Sequence, residues 1–283
     1  MELSIIIVNY NARPFLAKCL AALAANTALS HEIIIVDNHS RDDSRPWLEA
    51  LHLSRHRVIL NRENRGYAAA CNQGLALAAG RFLVTMNPDV IVPPRWDTRL
   101  VYHLQRHPAA LMVGPKSLGI GGKQWAGPLN FSRRLEAADR KFAALYARQS
   151  IPAKFLIGCL VLFDRRLPEL IGPFDENLPL GADDFDLALR IREKGYQLRI
   201  ARDVLVEHTV HASFHRSDPA ENARLAKASW EHFRRKWAYY LQKYGWERLF
   251  EDEAAVFPGE PAFTPGNNKA DLRRRGTSPV NPT

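Results

Sequence analysis

The sequence predicts an α/β fold, with a mainly parallel sheet covered by helices on both faces. Short β-branched apolar runs alternate with segments whose apolar residues recur at helical spacing through the first ninety residues. The runs are apolar at consecutive positions, as is typical of strands buried on both faces. The chain has 283 residues, of which 46% are hydrophobic, enough for a sizeable core.

The first elements form a βαβ unit. The runs SIIIVNY at 4–10 and EIIIVDN at 32–38 predict strands, and ARPFLAKCLAALAAN between them has the apolar spacing of a helix. RVILN at 57–61 predicts the third strand. YAAACNQGLALAAG at 67–80 then predicts an Ala-rich helix that ends at its last glycine, and RFLVTMN at 81–87 the fourth strand.

The second half predicts further helices. ADDFDLALRIREKGY at 182–196 is amphipathic, with Gly195 at the position where a helix should end. Residues 133–149 predict a basic helix, and 220–250 predict one or two helices rich in aromatic and basic residues. The latter pattern fits a helix in a membrane interface, and it also fits a packed helix with a solvated basic face.

We expect one domain at 1–256, with a ligand-binding half at 1–115 and a second half at 116–256. The remaining segment, 257–283, is rich in Pro, Gly, Asn and Arg, which predicts a disordered basic tail.

Composition narrows the class of protein. No run of eighteen apolar residues and no signal-peptide pattern occur, so we expect a cytoplasmic protein, at the inner face of the membrane if the aromatic segment binds lipid. The three cysteines are far apart and form no Cys-x-x-Cys pair, which argues against a zinc or redox site. The net charge of +9 is spread over several segments, so nucleic-acid binding is poorly supported.

Polar clusters follow three of the predicted strands, at 9–11, 37–40 and 87–89. Any one of them is more simply explained as turn chemistry. Ligands of open α/β sheets bind beyond the carboxyl ends of the strands, however, so three clusters on one rim favour a binding site. No GxGxxG or GxxxxGK[ST] motif occurs, which argues against dehydrogenases and P-loop enzymes. Asp89, stiffened by Pro88, suits a divalent cation that bridges phosphate oxygens.

Six ordered motifs carry a family resemblance: VNYN, IVDNHS, ENRGYAAACNQGLALAAGRFLVTMNPDV, FLIGCLVLF, GPFDENLPLGADDFDLALRIREKGY and EHTVHAS. Together they resemble family 2 glycosyltransferases of the GT-A fold, most closely the rhamnosyltransferase-like branch that builds bacterial surface polysaccharides. The similarity covers about residues 3 to 215. It implies an inverting transferase with a nucleotide-diphosphate sugar donor, such as a dTDP- or UDP-sugar, a saccharide or lipid-linked acceptor, and Mg2+ or Mn2+ as cofactor.

The resemblance also implies roles for individual residues. Those near the base and ribose are Val8, Asn9, Tyr10, Asp37 and Asn38. Those near the nucleotide and its phosphates are Asn64, Gly66 and Asn72. Asn87 and Asp89 stand where the family has its D-x-D motif, with Asn in place of the first Asp, and Asp89 is the implied metal ligand.

The acceptor side resembles the family's Glu-Asp motif at Asp183 and Asp184. The resemblance implies that Asp184 is the general base and that Asp183 contacts the acceptor or orients the site, whereas Asp186 is expected to stabilise the helix or pair with Arg190. His208 is the implied second metal ligand, followed by Ser213; His211 and His215 are alternatives.

Weaker candidates and a rival function complete the hypothesis. Gly158 fits close approach of a sugar as well as it fits simple packing. Trp125, in a Gly-rich stretch, fits sugar stacking or a small hydrophobic anchor. The rival is a protein that binds a nucleotide sugar without turning it over.

Overall fold

The computed structural model describes residues 1–51, 56–127, 135–209 and 219–251. These residues form one mixed sheet with helices on both faces, so the predicted α/β fold is confirmed. Its strands are β1 (Leu3–Asn9), β2 (His31–Asp37), β3 (His56–Leu60), β4 (Phe82–Met86), β5 (Val90–Ile91), β6 (Ala110–Leu118), β7 (Ser150–Ala153), β8 (Leu160–Asp164) and β9 (Gln197–His208).

The strands lie in the order β3-β2-β1-β4-β8-β6-β9-β5, and β7 also pairs with β9. The first four are parallel to one another, as the βαβ pattern predicts. Strand β8 is antiparallel to both β4 and β6, and β6 is parallel to β9. The short β5 runs antiparallel to β9 at the edge. The sheet is therefore parallel in its first half and mixed in its second.

The helices are α1 (Arg13–Asn26), α2 (Ser44–Glu49), α3 (Tyr67–Leu77), α4 (Trp96–Arg106), α5 (Leu135–Leu145), α6 (Leu167–Ile171), α7 (Asp183–Glu193), α8 (Pro219–Lys236) and α9 (Ala238–Trp246). Most lie where the sequence predicts a helix. Helix α4 and the short α2 and α6 were not predicted. With six and five residues, α2 and α6 are too short to show a helical period.

Strand β1 shows why its apolar residues are consecutive. Ile5 and Ile7 belong to a core that includes residues of α1 and α4. Ile6 and Val8 face the opposite way, into a core that includes residues of α3 and α7. Because side chains of a strand alternate between its faces, a strand that is covered on both must be apolar throughout.

The aromatic residues of the C-terminal segment pack mainly against α7. Phe233 and Trp237 are buried in a third core with Leu189, and Phe185 contacts the rings of Trp230 and Phe233, among others. Much of the aromatic surface that could have entered a membrane interface is thus used in packing. Tyr239 of α9 stays 64% exposed. Within the described ranges, no helix has the length and hydropathy needed to cross a bilayer.

Candidate active site

The polar residues after β1 and β2 meet at one edge of the sheet. Parallel register places Asn9 opposite Asp37. The Asn9 Nδ2 atom donates to Asp37 Oδ1 at 2.8 Å and to Ser40 Oγ at 3.1 Å. Val8 and Tyr10 flank Asn9, the former buried and the latter partly exposed. Asn9 Oδ1 is buried and has no hydrogen-bond partner among the described residues, so this rim retains an acceptor that a ligand could use.

Asn38 organises the loop that precedes α3. Its Nδ2 donates to Asn64 Oδ1 at 2.7 Å and to the Gly66 carbonyl at 3.1 Å. Its Oδ1 accepts from the Arg65 amide and from Asn61 Nδ2, each at 3.0 Å. These bonds use both ends of the Asn38 amide, so this side chain shapes the loop. Asn61 directly follows β3, and this fourth polar residue at a strand end was missed by the sequence reasoning although it carries the same signal.

Gly66 lies in close contact with the loop that leads to α7. Its φ is +80°, and an added Cβ would lie 2.7 Å from Pro179 Cα, so a larger residue cannot fit without displacement. The next residue, Tyr67, donates its amide to the Pro179 carbonyl at 3.0 Å. This contact joins the start of α3 to the loop before α7.

Asn72 of α3 makes a second connection to the segment before α7. Its Nδ2 donates to the Phe174 carbonyl at 3.0 Å and to Glu176 Oε1 at 2.9 Å, and its Oδ1 accepts from the Phe174 amide at 3.0 Å. The structure thus gives Asn72 a role in fastening a loop to α3. Its contact with a nucleotide stays a prediction.

Asp89 and His208 lie side by side, although 119 positions separate them in the sequence. Antiparallel pairing of β5 with β9 sets Val90 opposite His208. His208 Nε2 is then 3.2 Å from Asp89 Oδ1 and 3.3 Å from Asn87 Nδ2. Both Asp89 and His208 are buried. The alternatives His211 and His215, and Ser213, lie outside the described residues.

This pair fits a divalent cation. A carboxylate oxygen and an imidazole nitrogen at 3.2 Å can both bind one ion, and Mg2+ and Mn2+ accept such ligands. In the part of the chain that the structure describes, no group of three His, Cys, Asp or Glu residues could hold a metal. Two protein ligands leave positions open for phosphate oxygens and water, as expected for an ion shared with a diphosphate.

Asp183 and Asp184 begin helix α7. They follow Gly181 and Ala182, which both adopt left-handed conformations with φ of 78° and 65°. The Asp184 carboxylate accepts the Phe185 amide proton at 2.8 Å. The backbone of Gly158 lies beside this carboxylate. The local turn thus presents the carboxylate at the amino end of the helix, where negative charge is favoured.

The surroundings raise the proton affinity of both carboxylates. Burial raises the pKa of Asp184, and the backbone hydrogen bonds from Phe185 and Gly158 offset part of this increase. Burial also raises the pKa of Asp183, and the neighbouring Asp184 charge raises it further. Because the two groups interact, they titrate as a pair. A carboxylate with raised pKa is a better proton acceptor near neutral pH than an ordinary aspartate.

The dipeptide Gly158-Cys159 connects the metal pair to the carboxylates. The Cys159 carbonyl accepts from the Asn87 amide at 2.8 Å, beside Pro88 and Asp89. The preceding Gly158 lies beside Asp184. An added Cβ on Gly158 would lie 3.9 Å from Asp184 Cβ, an ordinary contact, so steric exclusion does not explain this glycine. The two predicted centres therefore border the same short stretch of backbone.

Asp186 is bound within the protein, as expected. It is fully buried, and its Oδ2 accepts from Arg190 Nε at 2.8 Å, while Oδ1 accepts from Trp237 Nε1 at 2.9 Å. Lys236 Nζ lies 2.8 Å from the same Oδ1. Asp186 thus ties α7 to the C-terminal helices.

Trp125 lies in a loop that hydrogen bonds of the neighbouring Gln124 side chain hold in place. The buried Gln124 donates to the Pro115 carbonyl at 3.2 Å and accepts from the Ile157 amide at 2.7 Å. Ile157 immediately precedes Gly158, so the loop is tied to the backbone that lies beside Asp184. Trp125 pairs with Ser117 through an isolated bridge and is 39% exposed. The sequence did not predict these Gln124 hydrogen bonds, because a single Gln in a Gly-rich segment forms no pattern.

Comparisons with known proteins agree with this architecture. Residues 4–171 match the model of the family "Glycosyl transferase family 2". Over 114 residues the chain is 31% identical to the glycosyltransferase GlyG of Streptococcus pneumoniae, which is 40% of this chain and 38% of that protein. The chain therefore spans less than half the length of this relative.

Two solved structures share the fold. GalNAc-T7 with UDP, GalNAc and Mn2+ has a TM-score of 0.60 at 17% identity, over 87% of this chain and 57% of that one. The mannosyltransferase PcManGT from Pyrobaculum calidifontis, in complex with GDP-Man and Mn2+, has a TM-score of 0.54 at 23% identity, over 84% and 71%.

Proposed function

The chain belongs to glycosyl transferase family 2, and from this premise we propose that it is an inverting, metal-dependent glycosyltransferase. Its donor is a nucleoside diphosphate sugar, and its acceptor is a hydroxyl of a saccharide or of a lipid-linked sugar. The likeness of six sequence motifs to the rhamnosyltransferase branch supports rhamnose as the sugar, carried by dTDP or UDP, and bacterial surface polysaccharide as the product.

The donor nucleotide binds at the rim formed after β1 and β2. Asp37, fixed by Asn9 and the Ser40 amide, holds the base and ribose with Val8 and Tyr10. Asn38 sets the loop that carries Asn64 and Gly66 towards the phosphates. This loop precedes the amino end of α3, and the amino end of a helix favours a bound anion through the helix dipole.

Asp89 and His208 hold a Mg2+ or Mn2+ ion, with Asn87 beside them. When bound, such an ion neutralises the charge that develops on a departing diphosphate. Two structural neighbours contain Mn2+, which supports this choice of cofactor. The Asn at the first D-x-D position lowers the local negative charge, so a nucleotide is expected to strengthen metal binding.

The transfer itself is a single displacement. Asp184 accepts the proton of the acceptor hydroxyl while that oxygen forms a bond to the anomeric carbon of the donor. The bond between the anomeric carbon and the diphosphate oxygen breaks, and the nucleoside diphosphate leaves with the electron pair. Attack on the face opposite the leaving group inverts the configuration. Asp183 orients Asp184 or the acceptor, and its charge state is coupled to that of Asp184.

The observation that carries this proposal is the shared position of the two centres. Gly158 lies beside Asp184, and the carbonyl of the adjacent Cys159 accepts from the amide of Asn87 in the proposed metal segment. A donor whose diphosphate lies at Asp89 then has its anomeric carbon within reach of Asp184. If the acceptor is lipid-linked, the protein works at the cytoplasmic face of the membrane, with the basic C-terminal helices nearest the lipid.

The test is donor turnover. Purified protein is incubated with dTDP-rhamnose, UDP-sugars and GDP-mannose, with Mn2+ or with EDTA, and release of the nucleoside diphosphate is measured. We expect turnover of one donor class that requires Mn2+. Asp89→Asn should weaken Mn2+-dependent donor binding about 10–100-fold, because one of two protein ligands is lost.

Asp42→Asn is a matched control, since Asp42 is also a loop aspartate near the rim but bonds the backbone amides of Arg13 and Ser44. Full Mn2+-dependent turnover by Asp89→Asn would contradict the metal assignment. Donor binding without any turnover, even with a broad panel of acceptors, would instead indicate the rival function of a non-catalytic nucleotide-sugar-binding protein.

A further inference from the structure

Strand β9 contains a large irregularity five residues before the metal-site histidine. Along β6, Pro115 pairs with Ala201, but the next residue, Lys116, pairs with Leu205. One step on β6 thus corresponds to four on β9, and residues 202–204 bulge out of the ladder. Regular pairing resumes at Leu205 and continues to Glu207.

This bulge decides where His208 lies. Beyond it, β9 continues between β6 and β5, and its last residue sits opposite Val90, next to Asp89. Each residue of register shift moves a strand by about 3.3 Å and turns its side chains to the other face of the sheet. If the bulge shifted by one residue, His208 could not face Asp89 at 3.2 Å.

Asp203, inside the bulge, is held by helix α4 and a loop. It is buried, and its Oδ1 is 2.7 Å from His103 Nε2 of α4. Its Oδ2 accepts from the Arg148 amide at 3.0 Å. Its backbone carbonyl accepts from the guanidinium of Arg99. Both the side chain and the backbone of this residue are therefore bound to parts of the chain outside the sheet.

Asp139 of α5 holds the point where regular pairing resumes. Its Oδ1 accepts the Leu205 amide proton at 2.9 Å, and both its oxygens accept from Arg99, at 3.1 and 2.8 Å. Asp139 is buried, and a buried carboxylate that binds a backbone amide and a guanidinium in this way is costly to disrupt, because both partners would lose their bonds.

We propose that Asp139 and Asp203 are positioning residues that hold the β9 bulge and thereby set His208 against Asp89. The inference rests on the proposed metal-dependent transfer and adds to it two acidic residues that touch neither metal nor donor. Asp139 lies 69 positions before His208, on a helix for which the sequence suggested only a basic surface.

The test measures metal binding. Mn2+ affinity is obtained from the electron paramagnetic resonance signal of free Mn2+, and electron spin echo envelope modulation reports nitrogen bound to the ion. We expect Asp139→Ala to weaken Mn2+ binding about tenfold, as is usual when a group that orients a metal ligand is removed. The nitrogen modulation should fall as well, because His208 is displaced while Asp89 still binds.

Asp186→Ala is the matched control. Asp186 is also a buried helical aspartate that pairs with an arginine at 2.8 Å, but its partners Arg190 and Trp237 are not on β9. It should lower the melting temperature and leave Mn2+ affinity and nitrogen modulation unchanged. If Asp139→Ala does not fold, Asp139→Leu decides the question, since its side chain has a similar size and can accept neither the Leu205 nor the Arg99 bond.

Unchanged Mn2+ affinity and unchanged nitrogen modulation in a folded Asp139 variant would overturn the inference and leave the metal site intact. Wild-type protein without nitrogen modulation, or with modulation that survives His208→Ala, would overturn the metal assignment of His208 itself and the inference with it. The two failures are therefore distinguishable.

Discussion

Replacement of the proposed base, Asp184→Asn, should slow sugar transfer and stabilise the protein at the same time. The asparagine side chain has nearly the same shape as the aspartate side chain. Its oxygen can still accept the Phe185 backbone N–H, which donates to Asp184 Oδ1 at 2.8 Å in the wild type. It cannot accept the proton of an acceptor hydroxyl. Donor and Mn2+ binding should remain, because the substitution leaves Asp89, His208 and the residues at the ends of β1 and β2 unchanged.

The expected loss of rate follows from the role of Asp184 as a general base. A positioned general base contributes about 10²–10⁴ in rate, or roughly 3–5 kcal/mol of the barrier. We therefore expect kcat for transfer to fall by at least a hundredfold with the donor KM little changed. For wild type, kcat/KM should increase with pH through a range above that of ordinary aspartates, since burial raises the pKa of Asp184.

The stability effect has a definite sign. Because the pKa of Asp184 is raised in the folded state, this group contributes stability below its unfolded pKa, about 3.9, and that contribution is lost as pH rises through the higher folded pKa. Asparagine has no charge to bury. The melting temperature of the Asp184→Asn variant should therefore exceed that of the wild type by a few degrees at neutral pH, since 1 kcal/mol of stability corresponds to about 2–4 °C.

The assay combines initial rates of nucleoside diphosphate release with thermal melts at neutral pH and near pH 4. Asp183→Asn is the companion variant, and it should show the same pH-dependent stabilisation, because burial raises its pKa as well. Transfer by Asp184→Asn within tenfold of wild type would refute the base assignment. A lower melting temperature at neutral pH would refute the reasoning about burial of charge.

Two further predictions concern the surroundings of the site. Gly66→Ala should lower stability by about 1–3 kcal/mol, measured by urea unfolding, because its φ is +80° and the new Cβ would lie 2.7 Å from Pro179 Cα. Gly121→Ala, which faces open space, should have little effect, and equal effects of the two would contradict the steric argument. Trp125→Ala should raise the acceptor KM about three- to tenfold if its ring stacks on a sugar, with donor hydrolysis unchanged. Tyr239→Ala, also exposed, is its control, and an unchanged acceptor KM in Trp125→Ala would assign Trp125 to packing alone.

The helices fall into two groups that support different parts of the proposed site. Helices α4 and α5 act on β9 and through it on the metal pair. Helices α8 and α9 act on α7 and through it on the carboxylates, by way of Asp186. The proposed metal pair and the two carboxylates are thus supported from both faces of the sheet, and such support holds a site in one geometry.

Local patterns in the sequence determined the layered fold and the rim. The consecutive apolar residues of β1 require cover on both faces, and the carboxyl ends of parallel strands lie at one edge, so the clusters at Asn9 and Asp37 could be placed together without coordinates. The family motifs added Asp184 as a named candidate. These features depend on neighbours in sequence or on a repeating geometry, which a pattern can report.

Only the tertiary structure decided which polar side chains bind other parts of the protein. Asn72 fits a nucleotide-binding motif, but its amide fastens the Phe174 loop, and Asp139 gives no sequence signal although it holds the turn of chain that aims His208. These contacts join residues 102 and 66 positions apart, through individual hydrogen bonds or one irregular step in a strand. Such contacts leave no periodic or compositional pattern in the sequence, so only the folded chain specifies them.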